Sequence, residues 1–152
     1  MDLCVLVCAD QDSASLLKAA LAEMGMAVEH TPSISRGVGL LNEKRFDAIV
    51  LDYRADQSSE EFLARMRQSA KNRDALLIAL VDEGFNARRV FGLGANFVLY
   101  RPLTAERTRL SLNAARSLMR RDRRRNPRRR SRRMRLRAAF RLSRVRSAVS
   151  GR

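Results

Sequence analysis

The chain has 152 residues, with 31 Lys and Arg against 16 Asp and Glu, a formal charge of +15. That length suffices for one domain with a proper core plus an appendage. No apolar run is long enough to span a bilayer and the N-terminus lacks the basic stretch that opens a signal peptide, so a cytoplasmic protein is the default expectation.

The charge is divided unevenly. Residues 116–152 hold 17 Arg and one Asp, a net of +16, whereas residues 1–115 hold 14 basic and 15 acidic residues, a net of −1. The expected organisation is a near-neutral domain over residues 1–120 and an Arg-rich tail over 121–152, the tail being either disordered or a truncated domain. His30 is the sole histidine, which excludes a His-rich metal site and argues against a His-based catalytic dyad.

Residues 3–9 form a continuous apolar run and read as a buried strand. Cys4 and Cys8 lie four apart in it, on one face but too distant to bridge locally, and read as two buried structural thiols. Asp12 or Ser13 is placed to cap a helix. Leu16, Leu17, Ala20, Leu21 and Met24 then recur at helical spacing, and Gly25 suits the stop. Residues 26–29 make a weaker strand. Ser33 can cap a second helix with Ile34, Val38 and Leu41 on one face, although Gly37 and Gly39 weaken it.

Residues 46–51, apolar apart from Asp47, read as another buried strand and end in the carboxylate of Asp52. Ser58 and Glu61 have the capping-box spacing, and Phe62, Leu63, Met66 and Ala70 supply that helix's buried stripe. Residues 75–81 are the most apolar run and read as a central strand. Residues 86–93 suggest a short helix ended by Gly94. Residues 97–100 form a last strand, closed by Arg101 and Pro102. Thr104 can cap a final helix, with Leu110, Ala114 and Leu118 on the inner face and Ala115 and Met119 beside them.

Strand and helix alternate five times, which implies a parallel sheet covered on both faces. Right-handed crossovers leave few arrangements, and the common five-strand solution is the flavodoxin-like (βα)5 doubly wound order 2-1-3-4-5. Its switch point lies between strands one and three, where Asp10 and Asp52 fall. Taken alone, Asp52 could equally start a turn.

Four pieces, in order, carry a family resemblance: residues 5–10, 47–52, 75–81 and 94–103. Together they resemble the receiver domain of two-component response regulators. A carboxylate can attack a phosphoryl group to give an acyl phosphate, and Mg²⁺ neutralises phosphate oxygens through one or two carboxylates. The resemblance implies that Asp52 is the phosphoacceptor. It implies Mg²⁺ held by Asp10, Asp52 and the backbone carbonyl of Arg54, and phosphate contacted by Arg101. The expected partner is a sensor histidine kinase or phosphotransfer protein, and the expected role is phosphorelay signalling and not enzymatic catalysis.

Several positions depart from the family pattern. Ala9 stands where the first of two adjacent acids is usual. Val81 replaces the hydroxyl residue that ends strand four, and Val98 replaces the aromatic of strand five, so both switch positions are degenerate. Arg101 replaces Lys, a planar fork for a compact point charge. The loop of residues 53–57 lacks the usual Met-Pro-Gly. The alternative is a phosphorylation-independent pseudo-receiver that acts as a binding module.

In the tail, Asn126-Pro127 marks a break. The block Arg123, Arg124, Arg125, Arg128, Arg129, Arg130, Arg132 and Arg133 has no interleaved aromatics. It points to sequence-independent contact with nucleic acid or an anionic membrane surface. Residues 123–129 also resemble the opening of a PilZ domain, which implies a cyclic-di-GMP link. Residues 134–142 alternate like its first strand, though helical spacing fits Met134, Ala138 and Leu142 too; the other strands and the second PilZ motif are absent, and one strand closes no barrel.

Overall fold

The five apolar runs form five parallel strands. In the computed structural model, which describes residues 2–125, they are β1 (Leu3–Val7), β2 (Ala27–Thr31), β3 (Ala48–Asp52), β4 (Leu76–Val81) and β5 (Phe97–Tyr100). Alternating with them are α1 (Gln11–Glu23), α2 (Ile34–Glu43), α3 (Gln57–Gln68), α4 (Ala87–Gly92) and α5 (Ala105–Arg125). The sheet order is β2-β1-β3-β4-β5, the flavodoxin-like doubly wound order that the alternation predicts. Val7 pairs with Leu51 and Asp52 with Leu80, so β1, β3 and β4 end at one carboxyl edge. Residues 1–115 group as one compact unit.

The strands read as unbroken apolar runs because both sheet faces are covered. Val5, Val7, Ile49, Leu51, Leu77, Ala79 and Val81 pack with Leu40, Leu41, Phe62, Leu63, Met66 and Val90 of α2, α3 and α4. Cys4, Leu6, Cys8, Val50, Ile78 and Leu80 face the other way, onto Leu17 and Leu21 of α1 and Leu112 and Ala115 of α5. Ile49, Val50 and Leu51 are fully buried, each worth about 1.5–3 kcal/mol relative to exposure. Both cysteines are free and buried, on the same face as expected.

Gly37 does not break α2 but lets it approach. A Cβ there would sit 2.9 Å from Val7 Cγ2 and 3.1 Å from Phe62 Cε2. Buried Asn72 ties the end of α2 to the start of β3: its side-chain N–H groups donate to the Leu41 and Lys44 carbonyls, and its Oδ1 accepts from Phe46 N.

Four local expectations are corrected. The cap of α1 is Asp10, not Asp12 or Ser13, and the cap of α3 is Asp56, whose Oδ1 accepts from Ser59 N at 2.8 Å, not Ser58. β2 spans Ala27–Thr31 and not 26–29; His30 within it places Nε2 2.8 Å from the Cys8 carbonyl, a structural contact. The buried stripe of α5 is Thr108, Leu112 and Ala115. Leu110 and Leu118 are 62% and 47% exposed. Two stripes compete on that helix, and the buried one includes a threonine that an apolar count passes over. Ser33 and Thr104 cap α2 and α5 as predicted, accepting from Arg36 N and Arg107 N. No helix among the described residues is long and apolar enough to cross a membrane. Residues 126–152, with most of the arginine block and of the PilZ-like stretch, lie outside the described residues; Arg123, Arg124 and Arg125 are the last turn of α5.

Candidate functional site

Parallel strands end in step, so the residues just past them share the carboxyl edge of the sheet, where open α/β folds bind ligands. Asp10 follows β1 in an extended conformation and caps α1. Its Oδ1 accepts from Asp12 N at 3.3 Å and its Oδ2 from the Ser13 hydroxyl at 2.5 Å. The Ser13 hydrogen bond, with the Arg101 charge assisting, holds its carboxyl below the usual carboxylate range.

Asp52 ends β3 with its side chain only 5% exposed. A bare carboxylate so placed needs compensation, and two guanidinium groups supply it. Arg101 Nη2 lies 2.6 Å from Asp52 Oδ2. The N–H directions miss that oxygen, so this contact is an ion pair more than a hydrogen bond. Arg54 reaches back over its own strand end, its Nη2 and Nε donating to the same oxygen at 3.0 and 3.2 Å. The Cys8 thiol stands 3.8 Å from Oδ2, and burial followed by the Asp52 charge pushes it above the usual thiol range. Asp52 Oδ1 is buried and has no hydrogen-bond partner.

Arg101 is anchored where β5 ends, its N–H donating to the Val81 carbonyl at 2.9 Å. The side chain is 15% exposed and meets three carboxylates: Asp52, Asp82 at 3.3 Å from Nη1, and Asp10 at 3.8 Å from Nε. Burial works against its charge, but Asp52 and then Asp82 outweigh burial and raise its pKa. Arg54 Nη1 also lies 3.8 Å from Asp82 Oδ2. Three carboxylates and two guanidinium groups thus form one cluster.

The structure brings Asp10, Asp52, Arg54 and Arg101 together at the edge where the sequence puts them. The side chain of Arg54, expected only through its carbonyl, is an unforeseen part of the site. Val81 is fully buried and offers no hydroxyl, and Val98 packs against the core as a half-buried aliphatic. Sequence reasoning missed Asp82 and gave Cys8 no place at the site. Asp82 carries the same signal as Asp10 and Asp52, a carboxylate at the end of an apolar run. Beside the cluster, Tyr53 and Phe85 meet edge to face with centroids 5.6 Å apart. The Tyr53 hydroxyl donates to Glu60 at 3.2 Å, and Glu60 pairs with Arg89 of α4 at 2.5 Å.

Among the described residues, no three His, Cys, Asp or Glu side chains converge to hold a metal by themselves. A hard cation that keeps several waters asks for less. The buried Asp52 Oδ1, which has no hydrogen-bond partner, is an oxygen donor of the kind Mg²⁺ takes.

No family model matches the chain, and no curated protein matches it in sequence. Solved structures match its fold. A signal receiver domain from Vibrio parahaemolyticus superposes with a TM-score of 0.67 at 19% identity, covering 80% of this chain and 94% of that one. The receiver domain of a sensor histidine kinase from Pseudomonas aeruginosa, described with magnesium coordinated in its active-site cleft, gives 0.62 at 22%, covering 75% and 97%. The chemotaxis protein CheY4 of Vibrio cholerae gives 0.65 at 18%, covering 76% and 98%. At these identities the likeness is one of fold: the chain has the receiver-domain fold.

Proposed function

We propose that the chain is a receiver in phosphorelay signalling and that Asp52 accepts the phosphoryl group. The observation that carries this is the Asp52 carboxylate at the carboxyl end of β3 with the Arg101 cation 2.6 Å away. In the transfer, an Asp52 oxygen attacks the phosphorus of a phosphohistidine on a sensor kinase or phosphotransfer protein. The O–P bond forms as the P–N bond breaks, and the P–N electron pair returns to the imidazole. Catalysis of such a step is mostly positioning and charge neutralisation. Arg101 and Arg54 are poised to take phosphoryl oxygens. Mg²⁺ would be held by Asp10, Asp52 and the Arg54 carbonyl, and when bound it supplies further neutralisation of those oxygens.

The test is to incubate the full chain with acetyl phosphate and Mg²⁺ and weigh it intact. The wild type should gain one phosphoryl mass, and Asp52→Asn should gain none. No gain by the wild type, or a gain that survives Asp52→Asn, rejects the assignment.

A second reading is a phosphorylation-independent binding module. It is favoured by the double engagement of Asp52 Oδ2 by Arg101 and Arg54, and by Val81, which offers a phosphoryl group nothing. The same mass measurement separates the two. Under either reading, the net +16 of residues 116–152 suits a polyanion such as nucleic acid or an anionic surface.

A further inference from the structure

Arg54 is shared between Asp52 and Asp82, and Arg101 among Asp52, Asp82 and Asp10. Both touch Asp52, at 3.0 and 2.6 Å, and both touch Asp82, at 3.8 and 3.3 Å. The shorter distances to Asp52 show that the cations already lean toward it. Asp82 is 64% exposed and opens the loop between β4 and α4. Its carbonyl accepts from Phe85 N at 3.1 Å, and Gly84 turns the loop with φ +85°. Phe85 rests on Tyr53, and Asn86 caps α4 by accepting from Arg88 N. The side chain of Asp82 therefore ties one end of this loop to the cations of the strand-end cluster. Val81 and Val98 supply neither a hydroxyl nor an aromatic ring at their two positions.

We propose that Asp82 is the residue that reads the charge at position 52. While Asp52 is a single carboxylate, Asp82 keeps a share of both guanidinium groups and the β4–α4 loop is held. When the charge at position 52 rises, the guanidinium groups are drawn away and the loop loosens. Phosphorylation would do this, since it replaces one negative charge by about two and adds acceptor oxygens that attract arginine. That last step rests on the proposed phosphoryl acceptance; the sharing of the two cations does not. Asp82 acts here as a positioning residue, through the arginines, with no contact to phosphate required of it.

The experiment is amide hydrogen exchange on the full chain, followed in peptides covering residues 82–92, with peptides of α1 as the control for global stability. Four proteins are compared: wild type, Asp52→Asn, Asp82→Asn and the double variant. Asp52→Asn releases Arg54 to Asp82 and leaves Arg101 to Asp82, at 3.3 Å, and the more distant Asp10, at 3.8 Å, so the loop should exchange several-fold more slowly than in the wild type. Asp82→Asn should exchange fast, and adding Asp52→Asn to it should change nothing. Equal loop exchange in wild type and Asp52→Asn, or a difference that persists in the Asp82→Asn background, overturns the proposal. A fifth sample, wild type treated with acetyl phosphate and Mg²⁺, should exchange faster in the loop once the mass gain is seen. A mass gain with unchanged loop exchange also overturns it. Without a mass gain the proposed function falls, and the four-protein comparison still decides the role of Asp82.

Discussion

Removing Arg101 should destabilise the fold far more than neutralising Asp52. The cluster holds three carboxylates and two guanidinium groups, a net of about −1. Arg101→Met takes it to −2 around a buried carboxylate, whereas Asp52→Asn takes it to zero. At 2.6 Å and an effective dielectric near 20, the gross Asp52–Arg101 attraction is about 6 kcal/mol. Desolvation of both partners offsets much of that, and breaking a buried pair from one side costs about 3–5 kcal/mol. Arg54 still holds Asp52 at 3.0 Å, so Arg101→Met should cost about 2–3 kcal/mol. In Asp52→Asn, Arg101 keeps the exposed Asp82 and the partly exposed Asp10, pairs that water screens strongly, and a crowded negative charge is gone. That cost should be about 1 kcal/mol or less. Urea unfolding of the two variants, read at the midpoint with an unchanged slope, measures both. Equal costs, or an Arg101→Met midpoint at the wild-type value, would refute the view that Arg101 neutralises a buried acid.

Other outcomes can be measured on the same protein. Gly39→Ala, with nothing within 4 Å of the new Cβ, should stabilise by roughly 0.8–1 kcal/mol through helix propensity. Gly37→Ala, driven against Val7 and Phe62, should instead lose about 1 kcal/mol net of that gain; urea midpoints that move in the same direction would contradict the packing. Burial pushes the Cys4 thiol from 9.0 up to about 12, so its contribution is fully present below pH 9 and is lost as pH rises toward 12. Urea midpoints should fall along that limb, and Cys4→Val should flatten the fall; Cys8 and Tyr53, also raised by burial, would leave a residual slope. Binding of the full chain to duplex DNA should lose about 0.9 log units of affinity per log unit of salt for each phosphate contacted, with little preference between sequences. Salt-insensitive titrations, or binding that survives deletion of residues 121–152, would exclude the charge mechanism.

The fold was legible because a doubly wound sheet leaves its strands as unbroken apolar runs, and residues 3–9, 48–51 and 75–81 are such runs. The site was legible to the extent that it lies where those runs stop, at Asp10 and Asp52. What resisted reading was local competition between similar residues. Asp10, Asp12 and Ser13 can all cap a helix, and the choice fell to Asp10, which is still extended and accepts from Asp12 N while the helix begins at Gln11. α5 offers two apolar stripes, and the sheet selects Thr108, Leu112 and Ala115 over Leu110, Ala114 and Leu118.

The arginines mark a different boundary of sequence reading. A strand end fixes where a short side chain such as Asp sits to within its one or two rotatable bonds, so position nearly determines contact. Arg54 and Arg101 carry four rotatable bonds each, and their heads settle where the field is most negative. For Arg101 that is the meeting point of Asp52, Asp82 and Asp10; for Arg54 it is the oxygen of the residue two before it. The field is set by three carboxylates from three strand ends, which only the register of β1, β3 and β4 brings together. Arg at position 101, where a Lys would carry the same charge, then has a consequence that a single charge count hides. A compact ammonium would serve one carboxylate closely, whereas the guanidinium fork spans all three. This geometry lets a change at Asp52 be felt at Asp82 through the guanidinium groups that both carboxylates share.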